Sequence, residues 1–430
     1  MRVALLTYGS RGDVQPFVAL GVSLKAAGHQ VRLAAPGRFA AFVTGYGLEF
    51  HPLPGDPAEL SRDLVDKGGG NFIRLAKVIR DYAEPIAVDV YNALDAAADG
   101  ADALVYSFLI AVPCHHIARE RGIPDFSAQL QPIMMPTGDF PSMLFPRIPV
   151  FRRWFNRLTH QLFIEIFWQT NRLSYHLVRR GHPELPKVIR WPLARDNTDQ
   201  PPVLYAFSPT VLPRPADWSH DVYVSGYWSL DAPSHWQPPV DLVDFINDGP
   251  PPVYIGFGSM ISHQMERYLD ICLRALRKAG RRGILAAGWT SVAQGELGDD
   301  VLLIEEAPHS WLLPQMAAVV HHGGAGTTGA GLRAGVPSIV VPFFGDQFFW
   351  GARVHHIGAG PAPIPNRKLD VDSLAIAIHT AATYPPLIAH AASIGRQIQA
   401  EEGTHWATRF IEGRVARMTP TAGLINRPLA

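Results

Sequence analysis

The residue types best suited to ligand chemistry lie in one block, 321–351, which reads HHGGAGTTGAGLRAGVPSIVVPFFGDQFFWG. Residues 317–320, directly before it, are short and apolar, as expected of a buried parallel strand. Gly324 and Gly326 follow, and they let the backbone approach a ligand where a Cβ would clash. The pattern predicts a strand, a tight glycine turn and a helix start, an arrangement that binds anions.

The rest of the block adds groups that suit a sugar. Thr327 opens the helix, whose free N–H groups and positive dipole end suit a diphosphate, and His322 adds a donor or a positive charge. Residues 338–341 read as the next strand, so Asp346 and Gln347 lie beyond its carboxyl end, where open α/β sheets bind ligands. A carboxylate beside an amide matches neighbouring hydroxyls of a pyranose. The block therefore predicts a sugar-nucleotide site.

A dinucleotide site is the alternative interpretation of the same residues. Positions 324–329 also satisfy G-x-G-x-x-G, and Asp346 follows at about the distance of a ribose-binding acid. Dinucleotide fingerprints usually open the first βαβ unit of a domain, whereas this one follows several βα units and a His-His pair. A nicotinamide-dependent oxidoreductase is therefore the distant alternative, together with a binding module that lacks catalytic activity.

The bulk composition excludes several classes of protein. A chain of 430 residues predicts two domains of about 200 residues each. The 38 basic and 38 acidic residues balance, so no global field attracts nucleic acid. The only cysteines are Cys114 and Cys272, which is too few for a disulfide framework or a cysteine zinc site. Since no apolar run reaches ~18 residues, we expect a soluble, cytoplasmic protein.

Each half of the chain opens with a strand, a glycine turn and an apolar-periodic helix. Residues 2–7 lead into a turn at 9–13, and residues 253–257 lead into a turn at 258–260. Further strand-like runs extend this alternation at 31–35, 103–106, 283–287 and 301–304. The pattern predicts an α/β fold with two Rossmann-like, doubly wound domains that face each other across a ligand-binding cleft.

The domain boundaries are expected at proline-rich segments. Residues 1–215 form the N-terminal domain, 216–240 the linker and 241–405 the C-terminal domain. Residues 406–430 form a C-terminal helix and tail, which we expect to pack back on the first domain.

An aromatic insertion at about 134–180 interrupts the βα alternation of the first domain. Phe151, Phe155, Leu158 and Leu162 keep helical spacing, and 163–168 is nearly all apolar. Core packing, an apolar pocket wall and a basic amphipathic surface for transient membrane contact are the three interpretations.

Several motifs together make the chain resemble the inverting glycosyltransferases of the GT-B architecture. Within them it is similar to the sterol 3β-glucosyltransferases and to related bacterial glycosyltransferases that act on hydrophobic natural products. The resemblance covers nearly the whole chain and rests on GSRGDVQP at 9–16, GFGSM at 256–260, PHSWL at 308–312, IFWQ at 166–169 and the block at 321–351.

The resemblance implies roles for residues of both domains. Asp13 is the implied general base, although an aspartate before Pro16 is also a good helix cap. Ser259 joins the phosphate-binding residues, with turn capping as its alternative. The residues implied to bind the nucleoside are Trp289, Pro308 and His309, and those implied to line the acceptor pocket are Met134, Phe163 and Phe167.

The same resemblance implies the reaction. A hexose, glucose from UDP-glucose, moves with inversion to a hydroxyl of a sterol or another polycyclic acceptor. A dTDP- or UDP-deoxysugar transferred to a macrolide, polyketide or glycolipid is the alternative. The nucleotide sugar is a co-substrate, so no cofactor is expected, and the protein is expected to be a monomer or a weak dimer.

Two further observations concern the nucleotide and the metal. Plant relatives have a ribose-binding glutamate where this chain has Ala330, and a base-stacking tryptophan where it has Glu306. Asp370-Val371-Asp372 spells a possible metal motif, but it directly precedes an apolar-periodic run and reads better as a helix cap. We therefore expect no metal.

Overall fold

The computed structural model describes residues 1–57, 72–143, 145, 153–188, 191, 193, 200–233, 236–258, 265–286 and 297–418. Two predicted site residues, Ser259 and Trp289, lie outside the described residues.

The first domain is built on a seven-stranded parallel sheet. Its strands are β1 (Arg2–Leu6), β2 (Gln30–Pro36), β3 (Glu49–Leu53), β4 (Ala103–Tyr106), β5 (Asp125–Gln129), β6 (Val203–Tyr205) and β7 (Val222–Val224). Its helices are α1 (Arg11–Ala26), α2 (Ala40–Gly45), α3 (Phe72–Ala97), α4 (Ala111–Arg121) and α5 (Arg153–Gly181). The strand order is β3-β2-β1-β4-β5-β6-β7, with Val3 opposite both Val31 and Ala103.

The second domain has a five-stranded parallel sheet. Its strands are β8 (Val253–Gly256), β9 (Gly283–Ala286), β10 (Val301–Ile304), β11 (Ala318–His321) and β12 (Ser338–Val340), in the order β10-β9-β8-β11-β12. Its helices are α6 (Val240–Asn247), α7 (Met265–Ala279), α8 (His309–Leu312), α9 (Ala325–Arg333), α10 (Gln347–His356), α11 (Val371–Thr383) and α12 (Pro385–Gln399).

The central strands are buried on both faces, which explains their unbroken apolar sequences. All residues of β8 and β11 are buried, as are the last four of β1. Parallel strands covered by helices on both sides require such sequences. The strand order reverses between β1 and β4 and again between β8 and β11, and ligands of doubly wound folds bind at such reversals. The predicted α/β architecture of two doubly wound domains is confirmed.

The segments that join the domains differ in detail from the predicted boundaries. Strand β7 pairs with β6 inside the range 216–240 that we predicted to be linker. A final helix, α13 (Gly403–Met418), follows the second domain and packs on α1 of the first. There Ser23 Oγ lies 3.0 Å from Thr408 Oγ1, and His29 Nε2 lies 2.9 Å from Glu412 Oε1.

In the part of the chain that the structure describes, every helix is too short or too polar to cross a lipid bilayer.

Candidate active site

Asp13 lies in the first turn of α1, beyond the end of β1. Its Oδ2 accepts hydrogen bonds from the Ser10 backbone N–H at 2.8 Å and the Ser10 hydroxyl at 3.0 Å. Ser10 rather than Asp13 is thus the N-cap, and Asp13 is the third helical residue, the reciprocal partner of a capping box. Both hydrogen bonds use Oδ2, so they leave the other carboxylate oxygen for further chemistry.

Gly9 makes the position of the Asp13 carboxylate possible. Its φ of +150° is one that side chains rarely adopt, and a Cβ there would overlap the carboxylate. Burial raises the pKa of Asp13, while the hydrogen bonds from Ser10 act in the opposite direction. A raised pKa increases the basicity of the ionised carboxylate.

The predicted phosphate site lies at the amino end of α9. The helix begins at Ala325, two residues before the predicted start at Thr327, because Gly324 takes the extended N-cap conformation. The first backbone hydrogen bond of this turn runs from Thr328 N to Gly324 O at 2.9 Å. The N–H groups of Ala325, Gly326 and Thr327 therefore point out of the helix end, as an anion site requires.

His322 lies against this helix end. A Cβ at Gly324 would be 2.6 Å from His322 Nε2, so the glycine makes room for the imidazole. Burial lowers the pKa of His322 to about 4, with a smaller contribution from His309, although a hydrogen bond to the Gly256 backbone raises it. Its Nδ1 is buried and has no hydrogen-bond partner. The neutral ring thus presents its Nε2 beside the helix end.

Asp346 and Gln347 lie beyond the carboxyl end of β12, as predicted, but their surroundings differ. Asp346 is the N-cap residue of α10 and lines a cavity between the domains. Gln347 is buried, and its Oε1 accepts hydrogen bonds from the backbone of Phe343 at 2.7 Å and Phe344 at 3.2 Å. Gln347 therefore shapes the loop that presents Asp346.

One cavity of approximately 290 Å³ is lined by candidate site residues of both domains. The first domain contributes Asp13 and the second contributes Asp346. Burial raises the pKa of Asp346 to about 6, and the negative charge of Asp13 adds to this effect. The residues around the cavity include Tyr8, Ser107, Phe108, Gln129, Gln131, Phe163, Phe167, Thr170, Asn171 and Phe344.

The aromatic wall of this cavity comes from α5 and the turn after β4. The ring centroids of Phe108 and Phe167 are 4.5 Å apart, and those of Phe163 and Phe167 are 6.3 Å apart. The structure therefore places Phe163 and Phe167 in the cavity wall. Met134 does not line the cavity: it is buried in the first domain's core, and only its sequence neighbour Ile133 reaches the wall.

The outer face of α5 is also apolar. Trp154, Leu158, Leu162 and Ile166 follow one another at four-residue steps and are all exposed, Trp154 to 61%. Residues at this spacing share one face of a helix, so α5 has an inner face towards the cavity and an apolar outer stripe.

The predicted nucleoside residues begin the helix after β10. Pro308 is the N-cap of α8, and His309 Nε2 lies 3.2 Å from the buried Tyr254 hydroxyl. Burial lowers the pKa of His309 to about 4, and the positive charge of Arg11 lowers it further. Arg11 forms an ion pair with Glu306, which lies between β10 and α8.

Three residues of the candidate site were not predicted from the sequence. Gln131 Nε2 lies 3.5 Å from Asp346 Oδ2, at the outer limit of a hydrogen bond, and Phe108 stacks in the aromatic wall. Both follow strands of the first sheet, so a search of every strand's carboxyl end would have found them. Arg11 was part of the motif at 9–16, but its partner Glu306 lies in the other domain, where no local pattern reveals the contact.

The possible metal motif is a helix cap. Asp370 Oδ1 accepts a hydrogen bond from Ser373 N–H at 2.8 Å, which confirms the predicted cap of α11. Within the described ranges, no three side chains of His, Cys, Asp or Glu come together as a metal site.

Two family models match the chain. That of the glycosyltransferase family 28 N-terminal domain matches residues 3–106, and that of the erythromycin biosynthesis protein CIII-like C-terminal domain matches residues 287–404.

Relatives with known activities are similar over most of the chain. A sterol 3-beta-glucosyltransferase of Arabidopsis thaliana is 37% identical over 391 residues, which cover 88% of this chain and 62% of that protein. The O-mycaminosyltylonolide 6-deoxyallosyltransferase of Streptomyces fradiae is 38% identical over 425 residues, which cover 96% of this chain and 97% of that protein. The chain thus spans less than two thirds of the plant relative and nearly all of the bacterial one.

Solved structures share the fold at lower identity. The glycotransferase of kitacinnamycin has a TM-score of 0.70 and 23% identity, with 96% of this chain and 99% of that chain covered. Spinosyn rhamnosyltransferase complexed with thymidine diphosphate has a TM-score of 0.64 and 18% identity, with 96% and 100% covered. Two matched domains, the relatives and the shared fold lead to one conclusion: the chain belongs to the GT-B glycosyltransferases, with a family 28 N-terminal domain and a CIII-like C-terminal domain.

Proposed function

We propose that this glycosyltransferase moves glucose from UDP-glucose onto a hydroxyl of a hydrophobic polycyclic acceptor, such as a sterol, with inversion at the anomeric carbon. The observation that carries the proposal is the shared cavity, in which Asp13 of one domain and Asp346 of the other meet beside an aromatic wall. A nucleotide sugar is the donor class, and the particular sugar and acceptor are part of the proposal.

The proposed reaction is a single displacement. The acceptor hydroxyl gives its proton to the Asp13 carboxylate as its oxygen attacks the anomeric carbon. The bond between that carbon and the diphosphate oxygen breaks, and its electron pair leaves with the nucleoside diphosphate. Asp346 holds hydroxyls of the sugar, with Gln131 beside it.

The departing diphosphate gains negative charge, which the second domain is suited to stabilise. The free N–H groups at the start of α9 and the imidazole of His322 offer donors without a metal ion. Metal-independent transfer is therefore part of the proposal. Asp370 and Asp372, at the start of α11, are assigned no part in it.

The acceptor assignment rests on the walls of the cavity. Phe108, Phe163 and Phe167 offer large apolar surfaces that suit a flat ring system, and Thr170 and Asn171 add a few polar groups. The exposed outer stripe of α5 supports transient contact with a membrane surface that holds such acceptors, and co-sedimentation with liposomes tests that contact.

Transfer of a deoxysugar to a macrolide is the second candidate. It is favoured by the bacterial 6-deoxyallosyltransferase, because the similarity to that protein extends over nearly the full length of both chains. This chain has Glu306 where plant relatives have a base-stacking tryptophan, and Ala330 where they have a ribose-binding glutamate. These two differences leave both UDP and dTDP as acceptable nucleotides.

The test is a matrix of donors and acceptors with product mass as the readout. UDP-glucose, dTDP-glucose and a dTDP-deoxysugar are each incubated with a sterol, a flavonoid and a macrolide aglycone, in the presence of EDTA. The proposal predicts a hexosyl sterol from UDP-glucose. A deoxyhexosyl macrolide with no sterol product would favour the second candidate, and activity restored only by a divalent ion would contradict the metal-independent scheme. The Asp13→Asn variant is the control for enzyme-dependent product.

A further inference from the structure

One ion pair crosses the cleft at the edge of the donor site. Arg11, the first residue of α1 in the first domain, pairs through Nη1 with Glu306 Oε2 of the second domain. The two side chains are 49% and 72% exposed, so solvent and ligands reach both. Glu306 lies between β10 and the proposed nucleoside residues Pro308 and His309.

The position of Arg11 places it close to the phosphate site. Its sequence neighbour Gly12 approaches α9 so closely that a Cβ on Gly326 would lie 3.7 Å from Gly12 Cα. The positive charge of Arg11 also lowers the pKa of His309 and opposes the rise in that of Tyr254. Arg11 is therefore the sequence neighbour of a residue in contact with α9, and its charge acts on the proposed nucleoside residue His309.

The guanidinium is held from its own domain as well as by Glu306. Its carbon lies 4.8 Å from the centre of the Phe42 ring, and its Nε donates to Gln15 Oε1 at 3.3 Å. These contacts orient the planar group independently of Glu306. A guanidinium donates hydrogen bonds to a carboxylate or a phosphate in the same forked geometry, so the two kinds of anion can replace each other.

We propose that Arg11 binds the diphosphate of the donor, and that Glu306 is a competing anion that holds Arg11 at the cleft until the diphosphate displaces it. The inference rests on the proposed nucleotide-sugar donor and adds a residue of the first domain to its binding site. Because an exposed carboxylate–guanidinium pair is weak, a diphosphate that also contacts α9 has the advantage in this exchange.

The proposal predicts opposite effects for the two partners. Arg11→Met keeps an unbranched apolar side chain but removes the charged guanidinium, so affinity for a nucleoside diphosphate should fall by about tenfold or more. Glu306→Gln frees Arg11 and removes a nearby negative charge, so the affinity should rise by roughly two- to fivefold. Neither change should alter the affinity for the nucleoside without phosphates.

The experiment is titration calorimetry of the full chain with UDP, dTDP, uridine and thymidine. Arg38→Met is the matched control, because Arg38 is also exposed, paired at 3.1 Å with Asp56 and placed beside the Phe39 ring, but does not cross the cleft. Arg11→Gln serves as a second variant if Arg11→Met does not fold. The combined Arg11→Met/Glu306→Gln variant should lose most of the gain that Glu306→Gln gives alone.

Three results would overturn the inference. Wild-type affinity of the Arg11 variants for both diphosphates would remove Arg11 from the site. If the Arg11 variants lose as much affinity for the nucleosides as for the diphosphates, the role of Arg11 is structural. If Glu306→Gln raises the affinity for diphosphates equally in the Arg11→Met background, Glu306 acts without Arg11. If the wild type binds neither diphosphate, the proposed donor class fails as well, whereas normal wild-type binding with an unaffected Arg11 variant overturns this inference alone.

Discussion

Asp13 has two tasks that a single substitution can separate. It completes the capping box of α1, and we propose that it removes the acceptor's proton. Asp13→Asn keeps an acceptor oxygen for Ser10 but cannot take a proton, so turnover should fall by ~10²–10⁴-fold while donor binding stays within a few-fold of wild type. Initial rates and calorimetry measure the two quantities.

The matched control for this prediction is Asp370→Asn. Asp370 caps α11 and lies outside the cavity lining, and asparagine caps a helix about as well as aspartate, so both stability and turnover should stay close to wild type. If the turnover of Asp13→Asn stays within about tenfold of wild type at neutral pH, Asp13 only caps the helix, because general-base catalysis contributes a larger factor to the rate.

Asp346 gives a prediction for stability and pH. Burial raises its pKa to about 6 in the folded protein, above the ~3.9 of an unfolded aspartate. In this window the folded state binds the proton more tightly, so the free energy of unfolding decreases as pH rises from ~4 to ~6.

Asp346→Asn removes the cost of burying this charge. The variant should match the wild type near pH 3 and be more stable at pH 7 by on the order of 1–3 kcal/mol. Urea unfolding at a series of pH values measures the difference. A difference that is constant with pH would show that Asp346 titrates as an ordinary exposed aspartate.

At the scale of elements, α5 is the helix that we propose to select the acceptor. Phe167→Ala removes part of the cavity wall, so the acceptor KM should rise by roughly tenfold or more, because several apolar carbons lose contact. Donor affinity should not change, because Phe167 lies in the aromatic wall and is not among the residues proposed to bind the phosphates or the sugar. Leu173→Ala, on the exposed side of the same helix, is the control.

The opposite result would be a variant with unchanged acceptor KM but a lower melting temperature. Phe167 would then be core packing, and the hydrophobic-acceptor assignment would rest on similarity to other glycosyltransferases alone. Steady-state kinetics with the acceptor varied, together with thermal unfolding, distinguishes the two outcomes.

The elements that sequence patterns predict well are those with one dominant signal. Strands β1, β8 and β11 have unbroken apolar runs followed by glycine. The capping of α11 by Asp370 involves only four consecutive residues, so the local sequence predicts it. Strands β6 and β7, with three residues each, are too short for a periodic signal, and β7 therefore fell in the predicted linker. Met134 was misplaced because an apolar residue suits a core and a pocket equally well.

At the scale of the whole molecule, the site depends on contacts that no local pattern contains. Asp13 and Asp346 line the same cavity, and Arg11 pairs with Glu306. The residues of each pair are about 300 positions apart in the sequence. Two structural features hold the domains in this arrangement. Helix α13 returns to pack on α1, and Arg353 Nε of the second domain donates to Val211 O at 3.0 Å. The sequence predicted each half of the site and a cleft between the domains, and the fold shows which residues meet across that cleft.

The configuration of the product is the decisive observable for the proposed reaction. In the proposed reaction, Asp13 assists one displacement at the anomeric carbon, on the face opposite the departing diphosphate. NMR of the purified product from an α-linked donor such as UDP-glucose should therefore show a β-glycoside on a ring hydroxyl of the polycyclic acceptor. An α-glycoside made by the same enzyme from the same donor would contradict the single displacement and the role of Asp13 in it.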